Sequence, residues 1–353
     1  MESIVDTTHE IHFEEMAQAV LQQRLEQRKY SKVFVLVDEN TEVHCLPKFK
    51  SLFNITISSI ISIKAGEVYK NIETCVQVWT ELSQLGGDRK SLLINLGGGV
   101  VTDLGGFVAS TFKRGIDFIN IPTTLLAMVD ASVGGKTGVD LGALKNQVGV
   151  IEQPEMVLVF PEFLNTLEKR QLKSGFAEML KHSLICDTDY WEQLCSISSY
   201  VFKYQEIKTS IGIKGEIVVQ DPTEQNIRKK LNFGHTLGHA IESYFLDSAD
   251  KKTLLHGEAI AIGMVLESFL SHRLTGLSKI ELEEIKSNFS KHFAPVKFSK
   301  TEIETIIELL KHDKKNEHGN INFVLLNQIG KAVIDVKVPS KLLNESFFYY
   351  MEE

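Results

Sequence analysis

Four residues in the second half of the chain are of the types that bind a catalytic metal ion. His235 and His239 are four residues apart, so a helix would place both side chains on one face. His256 begins another helical pattern, and Glu178 lies in an apolar one, where a buried carboxylate must be paired or bind a cation. Two histidines and a glutamate leave a fourth coordination position open, as in catalytic zinc sites. The spacing does not decide which two histidines are ligands, although analogy with the H-E-x-x-H motif would select His235 and His239.

A second group of residues could bind a dinucleotide. Gly97-Gly98-Gly99 follows a strand-like run and precedes a helical one. We expect a tight turn there, with positive φ, that lets backbone N–H groups approach a pyrophosphate. Asp38 ends an earlier strand-like run, where a carboxylate can bind a ribose hydroxyl or cap a helix. The turn lacks the G-x-G-x-x-G fingerprint, and for these glycines alone a plain turn is an equally good interpretation.

A third group could bind anions. Thr123 and Thr124 follow a strand-like run, and the glycine-rich turn 134–138 carries Lys136. Lysine is usually a solvated surface residue, but its setting among glycines favours a bound anion. A Walker A motif would need glycine where Asp130 stands, so we exclude a nucleoside-triphosphatase.

Composition limits the classes of protein to which these groups could belong. The chain has 353 residues, of which 43% are hydrophobic and 24% are charged, which predicts packed domains rather than a disordered chain or a fibre. The net charge of −8 argues against a nucleic-acid partner. The four cysteines are scattered, the N-terminus is acidic, and no apolar run approaches the roughly 20 residues that span a bilayer. We therefore expect a cytoplasmic protein without a membrane partner.

Strand and helix patterns predict two domains, 1–165 and 166–353. In the first, strands alternate with helices, which predicts an α/β domain with a mostly parallel sheet. Its strands are expected at 32–37, 91–96, 118–121 and 156–160. In the second, helices dominate, with a short strand pair at 322–326 and 332–336 and a last helix from Ser340. The other helices are expected at 169–187, 196–217, 236–246, 256–275, 279–292 and 301–312.

In their order and content these segments resemble the 3-dehydroquinate synthase family, within the sugar-phosphate cyclase superfamily. The resemblance covers residues 30–330 and is weakest at the two ends of the chain. The matching segments are Gly97–Asp103, Arg114-Gly115, Ile121–Leu126, Val129–Gly138, Lys145-Asn146, Ser174–Glu178, Asn232–His239 and Leu255–Gly263.

The resemblance implies a Rossmann-like NAD-binding domain, a mainly helical metal- and substrate-binding domain, and a homodimer. It implies that the chain converts 3-deoxy-D-arabino-heptulosonate 7-phosphate into 3-dehydroquinate and phosphate, in the shikimate route to aromatic amino acids. The implied steps are oxidation by NAD, elimination of phosphate, re-reduction, ring opening and an intramolecular aldol cyclisation, so that NAD is not consumed. The implied metal ion is zinc, with cobalt as the alternative.

The resemblance also assigns site residues by motif match. The implied metal ligands are Glu178, His235 and His256. The resemblance therefore overrides the H-E-x-x-H analogy, and it implies an acid–base role for His239 instead of a metal-binding one. The implied cofactor-binding residues are Asp38, Asn40, Glu67, Lys70, Gly98, Gly99, Val100, Asp103, Thr123, Thr124, Lys145, Phe163 and Thr166. The implied substrate-binding and catalytic residues are Arg114, Asp130, Lys136, Asn146, Lys181, Lys214, Arg228 and Asn232, together with Lys314 or Lys315. Arg114 matches a phosphate-binding arginine that can act across the dimer interface. Gln171 stands where the family often has an acidic residue, so we do not assign it to the cofactor.

Three other functions are compatible with parts of this pattern. A metal-dependent glycerol-phosphate or polyol dehydrogenase would share the two-domain plan, but it would consume NAD stoichiometrically and release no phosphate. Another sugar-phosphate cyclase would act on a substrate without a carboxylate and would differ from this chain near Asn232 or at Gly238-His239. A non-catalytic scaffold would have lost a metal ligand or Lys136, and the chain retains both.

Overall fold

The structure is a computed structural model, and it describes residues 3–5, 10–142, 144–248, 250–310 and 321–352. The chain forms two compact units. Unit 1 consists of Met1–Glu168 and Phe202–Val219, and unit 2 consists of Lys169–Val201 and Gln220–Glu353. The chain first passes from unit 1 to unit 2 after Glu168, close to the predicted boundary at 165/166. It then returns to unit 1 over 202–219, which a prediction with one boundary does not include.

Unit 1 is built on a seven-stranded sheet. Its strands, numbered along the whole chain, are β1 (Ile4–Val5), β2 (Glu10–Phe13), β3 (Val33–Asp38), β4 (Ser59–Ile63), β5 (Leu92–Gly97), β6 (Asp117–Pro122) and β9 (Met156–Val159). Their spatial order is β1-β2-β9-β6-β5-β3-β4, and every neighbouring pair except β1–β2 is parallel. β5 and β9 are buried at every residue, as expected of apolar strands covered on both faces. The expected mostly parallel α/β sheet is therefore confirmed.

Helices and a hairpin complete unit 1. The helices are α1 (Glu14–Arg28), α2 (Glu39–His44), α3 (Leu46–Leu52), α4 (Ile72–Gln84), α5 (Gly99–Thr111) and α8 (Tyr204–Gln220). The hairpin pairs β7 (Lys136–Leu141) with β8 (Leu144–Ile151) in antiparallel fashion, apart from the main sheet. The sequence pattern does not predict this hairpin, because β8 is exposed at most positions and carries no regular apolar pattern.

Unit 2 is mainly helical, as expected. Its helices are α6 (Lys169–Cys186), α7 (Thr188–Cys195), α9 (His235–Asp247), α10 (His256–Leu274), α11 (Lys279–His292), α12 (Lys300–Leu309) and α13 (Ser340–Met351). The predicted strand pair is confirmed as β10 (Asn322–Gln328) and β11 (Lys331–Lys337), which are antiparallel. One core cluster of unit 2 contains Leu237, Leu266, Ile303, Phe323 and Phe347, so α9, α10, α12, β10 and α13 share a common interior.

The segment between α6 and α9 differs from the prediction. A helix was expected over 196–217, but α8 begins only at Tyr204, and the separate helix α7 precedes it. α7 starts where it does because the Asp187 side chain accepts a hydrogen bond from the backbone N–H of Tyr190 at 2.9 Å and caps the helix. Among the described helices, none combines the length and the apolar character needed to cross a membrane.

Candidate functional site

Three side chains of unit 2 approach one another from three helices. Glu178 on α6 is fully buried, His235 is the first residue of α9, and His256 is the first residue of α10. Glu178 Oε1 lies 3.6 Å from His235 Nε2 and 3.5 Å from His256 Nε2. His239 is also close, since one ring nitrogen from each of the three histidines lies within 4.8 Å of the others. Nitrogen and oxygen donors that are this close together are typical of a zinc-type metal centre.

Two of the three histidines use their second ring nitrogen in the same way. His235 Nδ1 lies 3.1 Å from the carbonyl oxygen of Phe233, and His256 Nδ1 lies 3.1 Å from Glu242 Oε2. Because carbonyl and carboxylate oxygens accept hydrogen bonds, each Nδ1 carries a proton. Nε2, the atom that faces Glu178, is then the nitrogen that can bind a metal ion, and this is the usual arrangement of metal-binding histidines.

The electrostatics of the cluster favour a cation. Burial by itself would lower the pKa of His256, but the carboxylates of Glu242 and Glu178 outweigh burial and raise that pKa to about 10. Without a metal ion, His256 is therefore protonated at neutral pH and supplies positive charge next to two carboxylates. A divalent ion would displace that proton, because a metal-binding imidazole must be neutral.

Lys181 adds a second positive charge beside the same carboxylate. It lies one turn after Glu178 on α6, is buried, and forms an ion pair with Glu178 Oε2. A buried ammonium group is strongly favoured by a neighbouring anion. The position therefore suits a residue that binds an anionic group close to a metal ion.

Close helix packing brings the histidines to the carboxylate. Gly257 is so near α6 that a Cβ at this position would lie 2.0 Å from the carbonyl oxygen of Ser174, and its N–H donates to Ser174 Oγ at 3.0 Å. A Cβ at Gly263 would lie 2.0 Å from the carbonyl oxygen of Gly234, just before α9. Only glycine permits backbones to approach so closely, so α10 is fixed against both α6 and α9.

The loop before α9 holds two residues that were predicted to bind substrate. Arg228 is almost fully buried and donates through Nη1 to the carbonyl oxygen of Pro222 at 2.6 Å. The carboxylate of Asp221 accepts the backbone N–H of Arg228 at 3.1 Å, and Asn232 Nδ2 donates to Glu224 Oε1 at 2.5 Å. The loop therefore places a guanidinium group in a fixed position. The contact predicted for Lys314 or Lys315 falls outside the described residues.

The glycine-rich turn of unit 1 lies between β5 and α5, as predicted, but its backbone differs from the prediction. Gly98 has a φ of −76°, and no residue from Gly97 to Gly99 has a positive φ. The expectation of left-handed glycines here was wrong. Gly98 is needed for close approach, because a Cβ at this position would lie 2.9 Å from Thr124 Cγ2. α5 has no side-chain cap at its N-terminus, which suits a bound phosphate.

Asp38 and Asn40 lie at the same edge of the sheet as this turn. The carboxyl ends of β3 and β5 coincide because the two strands are parallel neighbours. Asp38 Oδ1 accepts the backbone N–H of Thr41 at 2.8 Å, so Asp38 does cap α2, which was the alternative to ribose binding. Asn40 is exposed on α2.

The other predicted cofactor residues follow β6 and β9 or lie on α5. Thr123 is buried and donates its backbone N–H to the carbonyl oxygen of Gly97 at 3.0 Å, so the end of β6 adjoins the glycine-rich turn. Phe163 is buried after β9, Thr166 is exposed, and Val100 is half-buried on α5. The structure therefore brings Thr123 to the turn but leaves Thr166 at the surface.

Four predicted cofactor residues and one predicted substrate residue form a single network. Lys70 is almost fully buried and donates to Asp103 Oδ2 and to Asn146 Oδ1, both at 2.6 Å. Lys145 Nζ lies 2.6 Å from Glu67 Oε1. Burial by itself would lower the pKa of Lys70, but nearby carboxylates, above all Asp103, raise it and keep the amine charged. Since Lys145 and Asn146 belong to β8, the network ties the hairpin to the cofactor residues.

The remaining predicted substrate residues of unit 1 have three different settings. Asp130 lies in a π-helical turn, a deviation often found at functional sites, and its Oδ1 lies 2.7 Å from Lys214 Nζ. Lys136 is exposed and follows two glycines with positive φ. Arg114 is exposed with a φ of +73°, and among the described residues no hydrogen bond or ion pair joins its side chain to another predicted site residue.

Three buried carboxylates near the histidine cluster were not predicted to have a role. Glu242 contacts His256 and Asp221 orders the Arg228 loop, as described above. Glu267 on α10 is fully buried and accepts the backbone N–H groups at the start of α9. Glu242 could have been found, because it lies seven residues after His235 and so shares its helix face. Glu267 could have been found as a lone charge in an apolar helical run.

Comparison with protein-family models gives two consecutive matches. Residues 60–174 match the model described as 3-dehydroquinate synthase N-terminal, and residues 175–316 match the model described as 3-dehydroquinate synthase C-terminal. The junction of the two matches lies within α6, after the first change of unit. The two matches together cover most of the chain.

Known proteins agree with these models. A curated 3-dehydroquinate synthase from Parabacteroides distasonis is 42% identical over 336 residues, which cover 94% of this chain and 95% of that protein. A solved 2-deoxy-scyllo-inosose synthase complexed with carbaglucose-6-phosphate, NAD⁺ and Co²⁺ has a TM-score of 0.81 and 24% identity, and the match covers 98% of each chain. A 2-epi-5-epi-valiolone synthase from Streptomyces hygroscopicus subsp. jinggangensis, with NAD⁺ and Zn²⁺ bound, has the same TM-score and identity, over 99% of this chain and 98% of that one. At this identity the two solved structures bear on the fold alone.

Proposed function

Because the chain belongs to the 3-dehydroquinate synthase family, we propose that Glu178, His235 and His256 form the metal centre of that reaction. The chain converts 3-deoxy-D-arabino-heptulosonate 7-phosphate into 3-dehydroquinate and phosphate, as its family membership indicates. One observation carries the assignment of the metal centre. The Nε2 atoms of two histidines lie within 3.6 Å of a single oxygen of a fully buried carboxylate.

The donor set fits zinc or cobalt. Two imidazole nitrogens and one carboxylate oxygen are the donors of catalytic zinc sites, and they leave a further position for substrate. A metal ion held by these residues would supply Lewis-acid chemistry towards substrate hydroxyl groups. The related fold neighbours hold Co²⁺ and Zn²⁺, which supports the choice of metal.

Unit 1 is the proposed NAD-binding part of the chain, and unit 2 the metal-binding part. Bound NAD would supply a reversible hydride acceptor that is not consumed overall. The N-terminus of α5 would receive the pyrophosphate, and the ends of β3 and β6 would hold the ribose and nicotinamide parts. Both fold neighbours contain NAD⁺, which supports this role. The proposed contacts are Asp38, Asn40, Glu67, Lys70, Gly98, Gly99, Val100, Asp103, Thr123, Thr124, Lys145, Phe163 and Thr166.

The proposed substrate contacts are mostly cations, since the substrate carries a carboxylate and a phosphate. Cations that are already held in place need little reorganisation when negative charge develops on the substrate. Arg228 meets this condition, because its backbone and its guanidinium group are both hydrogen-bonded. The proposed contacts of unit 1 are Arg114, Asp130, Lys136, Asn146 and Lys214, and those of unit 2 are Lys181, Arg228 and Asn232.

His239 is the proposed acid–base group. It lies one helix turn after His235, and a nitrogen of its ring is within 4.8 Å of nitrogens of both histidine ligands. Imidazole has an ordinary pKa near neutrality, so it can hold or release a proton at a substrate oxygen close to the metal centre.

The assembly and the location of the protein are part of the same proposal. A cytoplasmic homodimer would allow Arg114 to contribute to the partner subunit. The observation in favour is that Arg114 is exposed and has a left-handed backbone, an uncommon conformation for a residue other than glycine.

The competing functions fit the chain less well. Both family models and the curated relative at 42% identity are 3-dehydroquinate synthases and not polyol dehydrogenases. The chain also keeps Lys136, Asn232 and the Gly238-His239 pair, which a cyclase for another substrate or a scaffold would have changed.

One assay separates the synthase from a dehydrogenase. Purified protein is incubated with the heptulosonate phosphate, NAD and zinc, and phosphate release and the absorbance of NADH are followed together. We expect many phosphates per NAD and no steady growth of NADH, because the hydride is returned within each cycle. NADH that accumulates in proportion to product would instead identify a dehydrogenase.

A further inference from the structure

α9 and α10 each place a buried carboxylate at the N-terminus of the other helix. Glu242 on α9 contacts His256, the first residue of α10, through an Oε2–Nδ1 distance of 3.1 Å. Glu267 on α10 accepts the backbone N–H groups of Gly234 and Leu237 at the start of α9, at 2.6 and 3.2 Å. The two helix starts that receive these carboxylates carry the proposed ligands His256 and His235.

Such burial has a cost that needs an explanation. Glu242 is 6% exposed and Glu267 is fully buried. A buried carboxylate loses its hydration, and apolar residues of similar volume often stabilise a protein more. Glu267 recovers this loss through two backbone N–H groups that α9 would otherwise leave without intrahelical partners. The role of Glu267 is therefore to hold α10 against the start of α9.

Glu242 requires a different explanation, because its contact is a side chain of the metal centre. The hydrogen bond to His256 Nδ1 fixes the plane of the imidazole ring and directs Nε2 towards Glu178 Oε1, which lies 3.5 Å away. A carboxylate on Nδ1 also makes the imidazole a stronger metal ligand than a neutral acceptor would. His235 has such a neutral acceptor, the carbonyl oxygen of Phe233.

We propose that Glu242 is a positioning residue of the metal centre that orients His256 and strengthens its bond to the metal ion. Glu242 does not bind the metal ion itself. The proposal rests on the ligand set Glu178, His235 and His256 given above. It predicts that Glu242 governs how long the metal ion stays bound, whereas Glu267 governs how firmly α9 and α10 pack.

The test compares zinc release from three single variants with release from the parent. Glu242→Gln keeps the size of the side chain and one acceptor oxygen but removes the charge. We expect zinc to pass to an excess of chelator about 10–100-fold faster than from the parent, the range typical of lost outer partners of metal ligands. The cobalt-loaded variant should also show a shifted visible absorption band, because a bond to cobalt has changed.

Two matched variants show whether helix docking alone could produce that result. Glu267→Gln also removes a buried charge from the same helix pair. It should lower the melting temperature of the metal-free protein while releasing zinc more slowly than Glu242→Gln. Glu281→Gln removes a carboxylate that accepts backbone N–H groups of Ser278 and Ile329, and it should match the parent in zinc release and in the cobalt spectrum. Equal zinc release from the Glu242 and Glu267 variants, or a parent-like cobalt spectrum for Glu242→Gln, would overturn the proposal.

The parent protein and His256→Ala are measured first, so that two failures can be told apart. A parent that binds one zinc ion, and loses it when His256 is replaced, establishes the ligand on which Glu242 is proposed to act. If His256→Ala still binds zinc tightly, the ligand set is wrong. If it does not, and Glu242→Gln behaves like the parent, only the role of Glu242 is wrong.

Discussion

The histidines near Glu178 are of one residue type, yet we propose different roles for them because their surroundings differ. His235 and His256 each donate from Nδ1 to an oxygen, and each presents Nε2 to the same carboxylate oxygen. His239 is the third histidine of the cluster, and a nitrogen of its ring lies within 4.8 Å of a nitrogen of each of the other two. We therefore propose that the orientation of the ring, and not its presence alone, separates the metal ligands from the acid–base group.

Replacement of two of these histidines should have opposite effects on metal content and on chemistry. His256→Ala removes one of three protein ligands, so the purified protein should contain little zinc by elemental analysis. His239→Ala should keep its zinc and lose activity by roughly 10²–10⁴-fold, the usual contribution of an acid–base group. A His239 variant without zinc, together with a His256 variant that retains zinc, would reverse the assignment.

At this scale the sequence predicts which residues matter better than how they are arranged. The spacing of His235 and His239 predicts a shared helix face, and the structure confirms it. The proposed choice of His235 and His256 as ligands depends on their hydrogen-bond partners Phe233 and Glu242, which no spacing rule contains. The glycines at 97–99 were correctly placed in a turn, but the expected positive φ was wrong. At Gly98 the steric need is room for Thr124, which is distant in sequence, and not a left-handed backbone.

At the scale of elements, glycines on α10 decide how close its neighbours come. The carbonyl oxygens of Ser174 and Gly234 would each lie 2.0 Å from a Cβ at Gly257 and Gly263, respectively. Backbone atoms cannot move aside as a flexible side chain can, so α10 would have to shift as a whole. The position of His256 at the start of α10 depends on this packing.

Gly263→Ala should therefore destabilise the protein, although alanine is the better helix former. Overpacking of this kind typically costs 1–3 kcal/mol, and for a protein of this size about 1 kcal/mol lowers the melting temperature by roughly 2–4 °C. Gly212→Ala on α8 is the matched control, because a Cβ there meets nothing within 4 Å. The control should melt at or slightly above the parent temperature, since alanine reduces the freedom of the unfolded chain. A melting curve of Gly263→Ala that equals that of Gly212→Ala would contradict this account of the packing.

Elements with strong apolar patterns were predicted well, and those without them were not. β3, β5, β6 and β9 form long apolar runs, and α10 and α11 begin close to their predicted starts. The hairpin of β7 and β8 lacks such a pattern. Its position depends on polar contacts such as those of Lys70 and Lys145, together with the packing of Val139 in the core of unit 1. Polar contacts between distant segments leave no periodic trace in the sequence, so this element could not be predicted.

At the scale of the whole molecule, the proposed homodimer can be tested through Arg114. If Arg114 serves the partner subunit, co-expression of Arg114→Ala with His239→Ala gives mixed dimers in which one site carries both changes and the other carries neither. Such a mixture should turn over substrate, whereas each variant alone should not.

The control is a pair of changes in the same set of residues. His239→Ala mixed with His256→Ala should stay inactive, because every site in every dimer then carries one change. A mixture of Arg114→Ala and His239→Ala that stays equally inactive would show that Arg114 acts within its own subunit.

The chain enters unit 2 after Glu168, returns to unit 1 for 202–219, and then leaves it again. α8 belongs to the returning segment. It contacts the rest of unit 1 through the ion pair of Lys214 with Asp130 and through the edge-to-face contact of Tyr204 with Phe13. Recombination between two related enzymes at a single crossover near residue 168 would therefore join α8 from one parent to a sheet from the other. A chimera that exchanges 1–168 together with 202–219 would inherit each unit intact, so a library of hybrids built with three crossovers should contain more folded members than one built with a single crossover.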